Sequence, residues 1–370
     1  MNLAKRLPAI YLVLTAFTIF FMLVSCGDGN GNSDDTDNCC FWVEIAEITN
    51  PSIYIQDVFF IDNNTGWVVG AKQEPHVFSF DNDKGCVVGA KLEPLFTGDP
   101  EQRILKTTDG GYTWIDQLPS GQIGYLYSVY FIDQNNGWVG GGSWTSGQIY
   151  STSNEGDIWN FSNIGDSGFI MDIHAIDSNN VWAVGNRNTV LYSNNNFQTF
   201  ENQDVTGMVG SQIWDIEMPS SSIGYIANPV TAEIYKTTNG GNDWNLNFTE
   251  PDDNDFTAIH FIDENNGWAG GDNMTLYHTQ NGGQSWVKQN VPSSLPERGI
   301  YDIHFVDSNN GWLMTSGNGG EIWRTRDGGQ NWLLEFTVPF PYVLNGIHFT
   351  DINNGWAADS LGRIYKYQQY

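Results

Sequence analysis

Two short marks recur along the chain with one period, and that repeat limits the fold more than any other feature. The first mark is an apolar strand running into D-x-N-N-G-W, as in Asp307 to Trp312. Its aromatic stands at Trp67, Trp138, Trp182, Tyr225, Trp268, Trp312 and Trp356. The second is T-x-D-G-G-x-x-W, as in Thr325 to Trp332, and its aromatic stands at Trp114, Trp159, Phe200, Trp244, Trp286 and Trp332. Two independent marks sharing a period of about 40–45 residues, with four short strands per unit, indicate propeller blades.

One unit reads directly as strands. Asp302–Val306 alternates and forms strand a. Asp307 to Gly311 is a hairpin turn in which Asn and Gly supply the positive φ of a tight reversal. Trp312–Thr315, Glu321–Thr325 and Trp332–Phe336 then supply strands b, c and d. No part of residues 39–370 sustains a helical period, so the expectation is an all-β, seven-bladed β-propeller in one domain. Trp42–Ile45 has no first mark before it, yet it stands where a strand d would stand. The C-terminus supplies strands a, b and c of blade seven and stops before a second mark. Trp42–Ile45 should therefore pair with Ile364–Tyr367 and close the ring, removing the open edges of a linear array.

Blade one is irregular. VFFIDNNTGWVVGAKQEP (58–75) returns as VFSFDNDKGCVVGAKLEP (77–94). Residues 72–102 are read as a segment inserted before strand c. The alternative is that the second copy forms the a–b hairpin and the first copy is the insertion. Ahead of the propeller, residues 1–25 read as a signal peptide, with Lys5 and Arg6 before a largely apolar run, and Leu23-Val24-Ser25-Cys26 fits a lipobox. Lipidation of Cys26 and an acidic tether over 26–38 follow. The remaining cysteines are Cys39, Cys40 and Cys86, and a disulfide from Cys86 to Cys39 or Cys40 is expected in an oxidising compartment.

T-x-D-G-G-x-x-W resembles the Asp-box of sialidases, sortilins and related propellers. Its pairing with F-x-D-x-N-N-G-W resembles the Ycf48/Hcf136-like photosystem II assembly factors and their bacterial relatives. The likeness covers nearly all of residues 42–370. TTDGGYTW (107–114) and TRDGGQNW (325–332) match fully, TTNGGNDW (237–244) and TQNGGQSW (279–286) put Asn at the Asp position, and TSNEGDIW (152–159) and SNNNFQTF (193–200) are degenerate. The resemblance implies a turn between the outer two strands, away from the ligand face, so these Asp, Asn and Thr side chains are read as turn caps. It also implies a protein-binding, assembly-factor-like role. The family is associated with a basic, arginine-lined surface, from which this chain departs.

With 15 basic against 43 acidic residues the formal net charge is −28. Nucleic-acid binding is excluded, since phosphate contact needs basic clusters; the charge suits an acidic soluble surface or basic partners. Variable loops fall where strands d–a and b–c connect, the usual place for binding on a fixed scaffold. One of them carries Glu250, Asp252, Asp253 and Asp255, read as a solvated acidic loop rather than a Ca²⁺ site because it has no ligand spacing.

A sharper pattern lies on the inner strands, counting back from the residue that opens each a–b turn. Three positions back stand Phe59, Tyr130, His174, Glu217, His260, His304 and His348. Five back stand Asp57, Ser128, Asp172, Asp215, Ala258, Asp302 and Gly346. Period-two alternation puts both sets on one polar face, a collar around the channel. The bland reading is a packing histidine, copied by duplication and bonded to the neighbouring blade's backbone. The functional reading is a ligand collar, with a divalent cation the one cofactor it could hold. Nearby carboxylates should place the histidine titrations near or just above about 6.5.

The seven arginines are scattered, unlike the cluster a sialidase needs, and neither G-x-S-x-G nor H-E-x-x-H occurs. The expected function is a monomeric, envelope-tethered lipoprotein that binds a protein partner. A glycan-binding or glycan-degrading surface lipoprotein, using Tyr127, Phe169, Phe256 and Tyr342, is the alternative.

Overall fold

The computed structural model describes residues 40–48, 53–72, 101–118, 122, 124–143, 145–166, 168–208, 212–292, 298–316, 319–339 and 342–369. They form seven four-stranded antiparallel sheets, and in six of them the strands follow chain order from the inside out. The inner strands are Ile53–Phe60, Tyr125–Phe131, Ile170–Asp177, Asp215–Glu217, Phe256–Phe261, Gly299–Phe305 and Leu344–Asp351. In the seventh sheet Leu344–Asp351, Asn354–Asp359 and Arg363–Gln369 are completed by Cys40–Glu47 from the other end of the chain. Trp42 pairs with Tyr367 and Val43 with Lys366, and the register shifts between Glu44 and Ala46. The expected closure is thus present, with a bulge at Ile45.

The first mark works as a turn cap. Asp307 Oδ1 accepts the backbone N–H of Asn309 and Asn310, both at 2.8 Å. Asp133 and Asp263 do the same for the residues two and three further on. The second mark is a smaller knot. Thr325 Oγ1 accepts Gly329 N–H at 2.9 Å, and Asp327 Oδ1 accepts Asn331 N–H at 2.9 Å. Asn239 and Asn281 make that second bond equally well through Oδ1, because only an acceptor is needed. Gly328 and Gly329 have φ of 72° and 92°, where a side chain is strained. The degenerate copy keeps the shape regardless, with Asn196 and Phe197 at φ of 59° and 56°.

Blades are joined by stacked rings. At five of the seven seams the strand b Trp or Tyr of one blade lies flat on the inner-strand Phe of the next, as with Trp268 on Phe305 at 3.5 Å between centroids, Tyr225 on Phe261 at 3.9 Å, and Trp356 on Phe60 at 3.8 Å across the closure; Ala175 and Met218 stand at the Phe position of the other two. The second-mark Trp of that next blade meets the same Phe edge-on, as Trp332 does with Phe305. These strand b tryptophans are fully buried, so the core is seven inter-blade seams. Each such ring withdraws about 150–250 Å² from water.

In blade one the first copy, Ile53–Phe60 and Gly66–Lys72, forms the a–b hairpin, and strand c is Gln102–Thr107. The alternative that assigned this hairpin to the second copy is therefore overturned; residues 77–94 lie outside the described residues.

Candidate functional site

The inner strands place the collar around the central channel. Its seven side chains close a complete ring. Phe59 meets Tyr130 at 5.5 Å between centroids, and Tyr130 meets His174 at 4.8 Å. His174 Nδ1 lies 3.4 Å from Glu217 Oε1, and His260 Nδ1 lies 3.6 Å from Glu217 Oε2. His260 and His304 then stack at 5.2 Å, His304 meets His348 at 4.7 Å, and His348 returns to Phe59 at 4.3 Å. One arc is thus aromatic, and another holds a carboxylate between two imidazoles. A cavity of about 290 Å³ lies inside, lined by this ring and by Asp57, Asp172, Asp215 and Asp302.

The four aspartates reach sideways rather than toward the axis. Asp57 Oδ2 accepts Val129 N–H at 2.8 Å, and Asp172 Oδ2 accepts Ile216 N–H at 3.1 Å. Asp215 Oδ2 takes Ile259 N–H at 2.7 Å, and Asp302 Oδ2 takes Ile347 N–H at 2.9 Å. Ser128 Oγ does the same for Ile173 N–H at 3.2 Å. Each therefore ties its blade to the next. Ala258 and Gly346 cannot, and there the preceding residue substitutes: Thr257 Oγ1 donates to Ile300 O, and Asn345 Nδ2 donates to Ile55 O at 2.6 Å. In six of the inner strands the ladder register shifts next to this position, between Ile300 and Asp302 for example. A bulge there re-aims the extra residue, which strict alternation does not reveal.

Three of the four histidines fit the bland reading in their bonds, His174 meeting the side chains of Tyr130 and Glu217 instead, and all four fit the functional one in their position. His260 Nε2 bonds Phe305 O at 3.1 Å. His304 and His348 bond the backbone of Phe349 and Phe60 in the following blades. All four nevertheless line the cavity. Among the described residues no three His, Cys, Asp or Glu side chains come together as a shell for a metal ion. The sideways bonds explain why, since donors committed to neighbouring blades cannot converge within about 2 Å of one ion.

Their titrations split instead of rising together. Burial opposes the charged form of His260, but hydrogen bonding to Glu217 and its charge outweigh that and raise the pKa. His304 is pushed well below its ordinary value by burial and by the charges of His348 and His260. His348 falls to about 3, mainly through burial. The expectation of values near or above 6.5 is therefore corrected for these two: Glu217 reaches His174 and His260 only. Burial lifts Asp57 and Asp215 well above the carboxylate range, the latter helped by Asp172, and lifts Asp302 to about 6.

The other expected site residues resolve simply. Glu250 is buried and caps its own loop: Oε2 accepts the N–H groups of Asp252 and Asn254, and Oε1 meets Tyr277 Oη at 3.0 Å and Lys288 Nζ at 3.3 Å. Of the four aromatics considered for glycan contact, Phe169 and Phe256 are buried, Tyr127 packs on Phe169, and Tyr342 lies 3.5 Å beneath the Arg363 guanidinium. Cys26, Cys39 and Cys86 lie outside the described residues, as does the Cys40 side chain.

The model of the family "Photosynthesis system II assembly factor YCF48" matches residues 211–335. The photosystem II assembly lipoprotein Ycf48 of Synechococcus sp. (strain CC9902) is 29% identical over 120 residues, which is 32% of this chain and 35% of that protein. The aligned region is thus about a third of that relative's length. Among solved structures, YCF48 bound to a D1 peptide superposes with a TM-score of 0.64 at 17% identity, covering 89% of this chain and 96% of that one. YCF48 from Cyanidioschyzon merolae gives 0.63 at 16% identity, covering 89% and 98%. With the repeat and the ring closure above, these comparisons support a Ycf48-like β-propeller.

Proposed function

We propose that this chain is an envelope-tethered lipoprotein whose propeller holds a segment of a protein partner during assembly. The observation that carries the reading is the match of residues 211–335 to an assembly-factor family. Two structural facts support it. The second-mark acids and amides are spent on turn bonds, and the collar aspartates on bonds between blades. The solved relative holds a peptide, and a peptide is the occupant proposed here. The tether is the lipidated Cys26 followed by residues 27–38.

The experiment is in-cell cross-linking and affinity capture of the full chain from the envelope, beside a Cys26→Ala variant. Parent protein in the membrane fraction with a reproducible protein partner, and release of the variant, are the expected results. Capture of no partner protein, together with retention or cleavage of an oligosaccharide, would replace this reading with a glycan-directed one. Unchanged fractionation of the variant would remove the lipid anchor.

A further inference from the structure

We propose that the loop-side mouth of the channel seats a lysine or arginine side chain from a basic segment of the partner. The inference rests on the protein-binding reading above and names the chemistry of the occupant. At this end Trp214 of blade four and Tyr301 of blade six reach past blade five until their rings are 6.2 Å apart, inclined at 35°. Tyr301 is 41% exposed. Each ring stands directly before a channel aspartate, Asp215 and Asp302, and both aspartates line the cavity.

Beside the rim lie two carboxyls without a cation among the described residues. A Cβ placed on Gly299 would meet the Tyr301 ring at 2.8 Å and Asp272 Oδ1 at 3.0 Å, so ring and carboxylate flank the same backbone atom. Asp255 adjoins them, its carbonyl accepting Asp272 N–H at 3.0 Å. Neither the Asp255 nor the Asp272 carboxyl has a hydrogen-bond or ion-pair partner among the described residues. Burial raises both pKa values, and the charges of Asp272 and Asp253 raise that of Asp255 further. The basic groups of the surrounding loops are already engaged. Lys288 pairs with Glu250 and Asp252, Arg298 with Glu321 at 3.0 Å, and Arg187 with the Asp166 carbonyl at 2.6 Å.

A cation entering here would relieve the carboxyls and lie over an aromatic face, two attractions that a neutral or anionic segment lacks. The chain's net charge of −28 would draw such a segment in. An arginine or lysine stem has the reach and the apolar length to lie across the rim while its charged end meets the Asp255 and Asp272 carboxyls.

The test titrates the full chain, in detergent, with an arginine-rich dodecapeptide and with its glutamate counterpart, reading tryptophan fluorescence and calorimetric heat. The arginine peptide should bind and the glutamate peptide should not. Affinity should fall at least about tenfold between 50 mM and 500 mM salt. Asp255→Asn/Asp272→Asn should weaken binding by about tenfold, and Tyr301→Ala by about threefold to tenfold. Glu264→Gln, on the a–b turn face, should leave affinity unchanged. Equal binding by parent and double variant, or binding by neither, overturns the site; capture of an envelope partner by the parent would still stand for the scaffold reading. Fluorescence quenching by an oligosaccharide without peptide binding also overturns it.

Discussion

Trp42 stands edge-on to Phe349, with centroids 5.6 Å apart and planes at 89°. That is the relation of Trp114 to Phe60, Trp159 to Phe131, Trp286 to Phe261 and Trp332 to Phe305 in other blades. The first described strand therefore supplies the missing outer ring of the last blade, besides its hydrogen-bond ladder. Trp42→Ala would empty a fully buried site at the closing seam. It should cost about 3–5 kcal/mol by denaturant unfolding. Trp114→Ala, at a less buried ring, should cost less. A loss below about 1 kcal/mol would show that blade seven does not depend on this ring.

The turn knots make a second prediction. Asp327→Asn should be close to neutral near pH 7, since Asn239 and Asn281 already make the same bond. Thr325→Val removes the acceptor for the buried Gly329 N–H and should cost about 1–3 kcal/mol. Acid separates the two forms. Burial opposes the Asp327 charge, but hydrogen bonds from Asn331 and Thr325 outweigh it and depress the pKa. Its contribution is present above the unfolded value and fades as pH falls through the folded one, whereas the Asn variant has no such loss. Unfolding curves of both proteins from pH 7 to 2 decide it; parallel curves would refute the assignment.

Much of this architecture is legible in the sequence, because each blade repeats its own local chemistry. Trp42 is an example: its distance from Asp62 equals that of a strand d tryptophan from the next turn, within a residue. The bonds of Thr257 and Asn345 are different in kind. They stand in for acids missing at Ala258 and Gly346, and a bulge turns them toward the next blade. Only comparison of the columns six and five before the turn, residue against residue, hints at the exchange. The Trp214 and Tyr301 rim occupies that same column of six, where alternation assigns the other face. Protonation of the collar is less legible still. It depends on which imidazoles Glu217 touches, and on burial that sequence spacing does not measure.

His348 should make folding acid-sensitive. Its folded pKa of about 3 lies below the unfolded value near 6.5. The unfolded chain therefore takes up a proton first, and stability falls as pH drops from about 6.5 toward 3. His348→Phe, which copies Phe59 at the same position, should lose this slope. Relative to that variant the parent should weaken by up to about 1.4 kcal/mol per pH unit in the window. His260→Gln should show the opposite sign. The raised His260 pKa gives the parent an advantage below the unfolded value, lost as pH rises through the folded one. Urea midpoints at pH 7, 6, 5 and 4 test both; slopes of the same sign would contradict the split within the collar.

Asp302 provides the complementary case. Burial lifts its carboxyl to about 6, against the help of the Ile347 N–H and the His260 charge. An acid raised on folding holds its proton longer in the folded chain, so the parent gains stability as pH falls through about 6 toward the unfolded value near 3.9. Asp302→Asn keeps an amide oxygen as acceptor for the Ile347 N–H and gives up the buried charge. The variant should therefore exceed the parent at pH 8, and the difference should shrink steadily below pH 6. Placing the variant in a His260→Gln background sharpens the test. Without the imidazolium the Asp302 charge is less favoured, so the window in which the difference shrinks should shift upward in pH. A difference that is flat from pH 8 to 4 in both backgrounds would mean that Asp302 carries no buried charge to lose.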